Sequence, residues 1–201
     1  MAYNKFTLKK VQQQFNLTIN SKLPLFQNNR DVPISPWLTV FLKQFAPLAL
    51  RINTEKARSE WIIAPILGEL QHLLDEKITL FSGTTFEVDP KQDLTGVCDF
   101  IISRQADALI LSVPLVTIVE AKNDNVMKGL GQVIATMVAA QIFNERENNP
   151  LETIYGVITT GATWKFLKLI GRTVYVDGDE YYLRDLEKIM GILTDMVLNQ
   201  P

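Results

Sequence analysis

Asp99 and the tripeptide Glu120-Ala121-Lys122 are the residues of this 201-residue chain best suited to chemistry. Asp99 sits in Gly96-Val97-Cys98-Asp99-Phe100-Ile101-Ile102. Glu120 and Lys122 close Val116-Thr117-Ile118-Val119-Glu120-Ala121-Lys122. Both stretches are otherwise apolar, where an ionised group is costly unless it is paired or holds a metal. A strand alternates faces with period two, so Glu120 and Lys122 point one way and Ala121 the other. Carboxylates from two adjacent strands can chelate a hard cation, and Mg²⁺ completes its shell with water and phosphate oxygens. A lysine beside them can orient or deprotonate a water, or stabilise developing charge. The plainer alternatives are that Asp99 caps a turn after Gly96 and that Glu120 and Lys122 form a solvated strand end, worth about 0–1 kcal/mol as a pair.

Other chemistries are excluded by counting. The single cysteine, Cys98, allows no internal disulfide and no cysteine-based zinc site. The single histidine, His72, allows no histidine metal cluster and reads as a helix-surface residue. Gly129 and Gly131 lack the third glycine and the leading strand of a dinucleotide fingerprint, so they read as easing the chain close to the sheet. Apolar residues make up 47% of the chain and charged residues 21%, which is ordinary globular usage. The formal charge of −2 gives no global footprint for nucleic acid or anionic lipid. The start, MAYNKFTLKK, has no apolar signal-peptide region, and no run approaches about 18 apolar residues. The expectation is a soluble, cytoplasmic protein with no membrane span, folded as one domain over residues 1–201.

These side chains need strands and helices to position them. Phe6, Leu8, Val11 and Phe15 suggest a short N-terminal helix. Residues 38–46 suggest another, ending near Pro47. Over residues 54–75 Thr54 can cap, and Ile62, Ile63, Ile66, Leu67, Leu70, Leu73 and Leu74 recur at helical spacing, with Pro65 as a kink or a true start. Residues 78–81, 84–88, 97–103 and 109–119 are rich in β-branched and aromatic residues and read as strands. Residues 128–146 give the clearest helix. Strands follow over 154–159, 164–170 and 173–177, and a C-terminal helix over 183–198. The implied class is α/β, a mixed sheet flanked by helices.

An aspartate, then about twenty residues, then Glu-X-Lys at a strand end and a helix resembles the metal-dependent PD-(D/E)XK nuclease superfamily. The resemblance covers roughly residues 55–170 and implies a restriction-endonuclease-like fold. The N-terminal extension (1–50) and the C-terminal helix (183–198) lie outside it. It assigns catalysis to Asp99, Glu120, Lys122 and Gln132. It assigns metal binding to Glu60, Asp99, Glu120 and the Ala121 carbonyl, with Mg²⁺ as cofactor and Mn²⁺ as a substitute. Glu60 fits the glutamate that many members carry on the helix before the sheet. It shares a helical face with Ile63, Ala64 and Leu67, an odd place for a solvated carboxylate; a first-turn acid is the alternative. Gln132 fits the glutamine on the following helix, or is a surface residue. The chain departs from the pattern in having Cys98, not proline, before Asp99, and a turn with Pro114 between the two acids. Asp124, between Asn123 and Asn125, reads as a turn or helix cap.

The expected activity is hydrolysis of phosphodiester bonds in DNA, with RNA second. The partner is nucleic acid, and the protein is expected to be a homodimer, as the superfamily often is. The acidic balance of the whole chain weighs against tight non-specific binding, which a local basic groove (Lys122, Lys128, Lys165, Lys168, Arg172) or a second chain could meet. The alternative is a catalytically silent nuclease-fold module for binding or assembly. Trp164 reads as core.

Overall fold

The β-branched stretches pair into one eight-stranded mixed sheet, in a computed structural model that describes residues 3–123 and 125–198. The chain runs α1 (Leu8–Gln14), β1 (Thr18–Asn20), α2 (Pro36–Ile52), α3 (Glu55–Arg58), a π-helical turn (Ser59–Ile63) and α4 (Ala64–Leu73). Then come β2 (Thr79–Asp89), β3 (Leu94–Ser103), β4 (Leu115–Ala121), α5 (Leu130–Arg146) and β5 (Thr153–Thr159). The chain closes with β6 (Thr163–Ile170), β7 (Thr173–Val176), β8 (Tyr181–Tyr182) and α6 (Leu186–Leu198). The sheet order is β1-β7-β6-β5-β4-β3-β2, with β8 paired to β6. β4–β5 and β1–β7 are parallel, and the other pairs are antiparallel. The α/β class expected from the sequence is therefore present.

Two apolar layers cover the sheet. Phe100, Ile102, Val119 and Phe166 pack with residues of α2, α4 and α6, whereas Ile101, Ile118, Ile158 and Leu167 pack with Val11 of α1 and with α5. The N-terminal segment is thus integral to the fold, since β1 extends the sheet and α1 covers α5's side. Ser35 caps α2 and is itself fixed by buried Glu69: its N–H donates to Oε1 at 2.6 Å and its hydroxyl to Oε2 at 2.9 Å.

Several boundaries differ from those read off the sequence. α2 continues through Pro47 to Ile52. Pro47 lies on the exposed side, where the carbonyl of exposed Lys43 that loses its donor is open to water. The two runs around Gly83 are one strand, β2, because Gly83 sits at φ +63°, open to glycine and rare for other residues. The run over 109–119 becomes a strand only from Leu115. Pro114 donates no N–H to a ladder, and Leu109 and Ile110 are left exposed. The short strands β1 and β8 carry no periodic signal and exist through distant partners.

α5 is not a one-sided amphipathic helix. From Leu130 to Ala140 nearly every residue is buried, between the sheet and the segment around α1. The helical run Val126–Arg146 is long and apolar enough, by length and composition alone, to span a bilayer, although mostly buried inside the protein. It is not an unbroken apolar run, since Gly, Thr and Gln interrupt it without making it polar on average. Gly131 permits the close approach on the outer side. A Cβ there would lie 2.2 Å from the Phe6 carbonyl oxygen, so its neighbour is residues 6–7 rather than the sheet. Gly129 does face the sheet, with Ile158 3.0 Å from an added Cβ. Gly131→Ala should lower stability by about 1–3 kcal/mol or more, because rigid backbone cannot yield to the methyl. A thermal melt at unchanged midpoint would contradict this packing.

Candidate functional site

The antiparallel ladder between β3 and β4 ends at Phe100–Val119, and the next residues on the two strands are Asp99 and Glu120. There a side chain takes over from the backbone: the Ala121 N–H donates to Asp99 Oδ2 at 2.8 Å. On its other side β4 stays paired with β5, the Lys122 N–H donating to the Thr159 carbonyl at 2.8 Å. Asp99 thereby fixes the end of β4 and brings its carboxyl to Glu120.

Glu120 is nearly inaccessible, with 3% of its side chain exposed, and Lys122 retains 16%. The Lys122 ammonium donates to Glu120 Oε1 at 2.6 Å and makes a long contact of 3.5 Å to Gln132 Oε1. Gln132 stands in the first turn of α5. Asp99, Glu120, Lys122 and Gln132 therefore converge, and Asp99 is only half-buried, which leaves a way in.

Burial and crowding set the protonation. Burial, then the Asp99 charge, pushes Glu120 from 4.5 up to about 8, against the pull of Lys122. Burial also raises Asp99, opposed by the Ala121 N–H, Lys122 and a hydrogen bond with Glu120. Two carboxyls this close share a proton rather than both ionising. Lys122 is pulled down by burial, but the Glu120 charge, their hydrogen bond and the charges of Glu55 and Asp99 together raise it. It is an ammonium at neutral pH, suited to stabilising negative charge rather than to removing a proton.

Glu60 does not join the cluster. It is half-exposed and pairs with Lys56 at 2.8 Å, one turn earlier on the surface. The helical-face reading failed because helix spacing breaks there. The Ala64 N–H donates to the Ser59 carbonyl five residues back, and Pro65 has no N–H to continue an α ladder. The acid whose charge reaches Glu120 and Lys122 is Glu55, first residue of α3 after its Thr54 cap. Its place behind a capping threonine was the only sequence signal. Next to it, Arg58 ties α3 to the end of β5, donating to the Thr160 carbonyl at 2.6 Å.

Three of the five cations of the expected basic groove are engaged or placed elsewhere. Lys165 is buried and donates to the Asp179 carbonyl at 3.1 Å. Lys168 lies over the Tyr175 ring, 5.2 Å from its centroid, and Arg172 follows β6 at the sheet end opposite Glu120. His72 is exposed; Cys98 and Trp164 are core. Asp124 lies outside the described residues. A cavity of about 710 Å³ is found elsewhere, lined by Asp31, Tyr181 and Arg184 among others, and holds none of the four converging residues.

The donors fit a hard dication in type. They are carboxylate oxygens under mutual repulsion, which a dication relieves, and Ala121 adds a backbone carbonyl at the same strand end. In number they are few: among the described residues no three His, Cys, Asp or Glu side chains gather to hold an ion. Such an ion would be held by Asp99, Glu120, the Ala121 carbonyl and solvent or substrate oxygens. No protein-family model matches the chain, and no curated protein matches it.

Proposed function

We propose that this protein is a metal-dependent nuclease with a restriction-endonuclease-like core, hydrolysing phosphodiester bonds in DNA. The observation that carries this is the meeting of the Asp99 and Glu120 carboxyls beside the Lys122 ammonium at one end of β3 and β4. The order of elements agrees with it: a helix, the antiparallel strands β2-β3-β4, the helix α5, and β5 parallel to β4.

Bound Mg²⁺ or Mn²⁺ would polarise the scissile phosphate and acidify a coordinated water. Asp99 and Glu120 would hold the cation and offset its charge. Asp99 also keeps the strand end in place through the Ala121 N–H. Lys122, fixed by Glu120 and within reach of Gln132, presents its ammonium to the charge that builds on the phosphate oxygens. The protein would act in the cytoplasm, and cleavage of both strands would use a homodimer.

The test is incubation of plasmid and single-stranded DNA with Mg²⁺ or Mn²⁺. Wild type should cut and Lys122→Ala should lose at least about two orders of magnitude, the scale for removing one preorganised donor to developing charge. Equal rates in the two proteins would remove Lys122 from the mechanism.

A second reading is a silent module that keeps the fold for binding or assembly. It is favoured by the tight Lys122–Glu120 pair, which engages one ligand oxygen, and by Glu60 standing apart. A wild type inert on every nucleic acid offered would select it.

A further inference from the structure

The surface beside α3 carries a row of aromatic rings that neither the sheet nor the acid cluster uses. Trp37, Phe41 and Phe45 recur every fourth residue along α2, so they share one side of it. Trp61, from the π-helical turn, closes the row. Trp37 stacks on Phe41 at 5.3 Å between centroids, and Phe45 on Trp61 at 4.9 Å with planes 22° apart. Phe41 links the pairs, 4.7 Å from Phe45 and 6.3 Å from Trp61. None of the four is fully buried, and the pile ends in the open: Trp37 is 58% exposed and Val40 beside it 64%.

A pile with a free end is extended by another flat ring. We propose that this row is a stacking platform for unpaired bases of a nucleic-acid strand leading to the acid cluster, which makes single-stranded or junction DNA the substrate. The proposal rests on the nuclease reading above. Two further observations choose nucleic acid as the occupant. One is continuity: Trp61 lies three residues beyond Arg58, which is bonded to the end of β5 next to Lys122's strand, and the charge of Glu55, on the same α3, is felt at Glu120. The other is charge. α2 carries Lys43 and Arg51 and no acid, and residues 36–61 hold four cations against two carboxylates in a chain of net charge −2. Bases inside a duplex are already stacked, so only unpaired ones have a face to offer.

Binding separates this proposal from catalysis. A fluorescent oligothymidine is titrated with metal-free protein in chelator, following anisotropy and tryptophan quenching. Wild type should bind it more tightly than a blunt duplex. Trp37→Ala should weaken binding about ten-fold, within the range for losing one base–ring stack, and Trp37→Phe should retain most of it. Both changes lie on the surface, and melting curves verify the fold. No oligothymidine binding, or equal affinity in Trp37→Ala, overturns the platform. So does a wild-type dimer that Trp37→Ala dissociates without changing oligothymidine affinity, which would make the row a protein interface. Retained stacking without any cleavage would refute the nuclease reading alone.

Discussion

Replacing Glu120 by glutamine should stabilise the metal-free protein at alkaline pH. The sign follows from the raised carboxyl. Unfolded, Glu120 titrates near 4.5; folded, near 8. Between those values the folded chain holds a proton that the unfolded chain has lost, so the stability present below 4.5 drains away as pH rises to 8. The slope is at most about 1.4 kcal/mol per pH unit. Glutamine has no proton to lose. Its amide can accept from Lys122 and donate to Asp99, leaving Asp99 and Lys122 as a neutral pair. At about pH 8.5 the variant should melt about 5–10 °C above wild type, from a few kcal/mol spread over a domain of this size, and the gap should close towards about pH 5. Groups outside the cluster titrate alike in both proteins and cancel in the difference; Asp99 and Lys122, which are coupled to Glu120, do not. A constant gap, or a variant less stable at high pH, would show that Glu120 is not a crowded buried acid.

Asp99→Ala should be damaging in two separable ways. It leaves the Ala121 N–H without its 2.8 Å acceptor at a buried strand end, at a cost of about 1–3 kcal/mol. It also removes half of the carboxylate pair. Cleavage should fall by more than about a hundred-fold, since even outer-shell partners of metal ligands cost about 10–100-fold when lost. Asp99→Asn keeps an acceptor for Ala121 and loses the charge, so it should recover most of the stability and little of the cleavage. Chemical denaturation alongside a plasmid assay checks both halves. If Asp99→Ala unfolds at the wild-type midpoint, the strand-end role is wrong; if Asp99→Asn cuts at the wild-type rate, the ligand role is wrong.

Three of the four converging residues were legible because apolar strands advertise any charge inside them, whereas Gln132, on α5, came from the resemblance alone. Asp99, Glu120 and Lys122 stand out against Phe100, Ile101, Ile118 and Val119, and strand alternation fixes which of them can meet. Glu60 misled because its face was inferred from regular helical spacing, and one π turn before Pro65 breaks that spacing. Glu55 was missed because its reach to Glu120 depends on how α3 docks on β5, through Arg58 and Thr160, which no local pattern encodes. The cationic groove was proposed from residue type alone, but β6 runs Lys168 and the following Arg172 toward the sheet end away from the site. Long helices and internal strands were readable from periodicity; β1 and β8 depend on partners far along the chain.

Calorimetric titration of Mg²⁺ or Mn²⁺ into wild type and Glu120→Gln, in two buffers of different ionisation heat at about pH 7, measures the dication site itself. Wild type should bind one ion per chain with release of a proton to the buffer, because the cation displaces the proton shared by Asp99 and Glu120; Glu120→Gln should give neither. Absence of binding by wild type at millimolar metal, or unchanged binding by Glu120→Gln, would contradict a divalent-ion site at the end of β3 and β4.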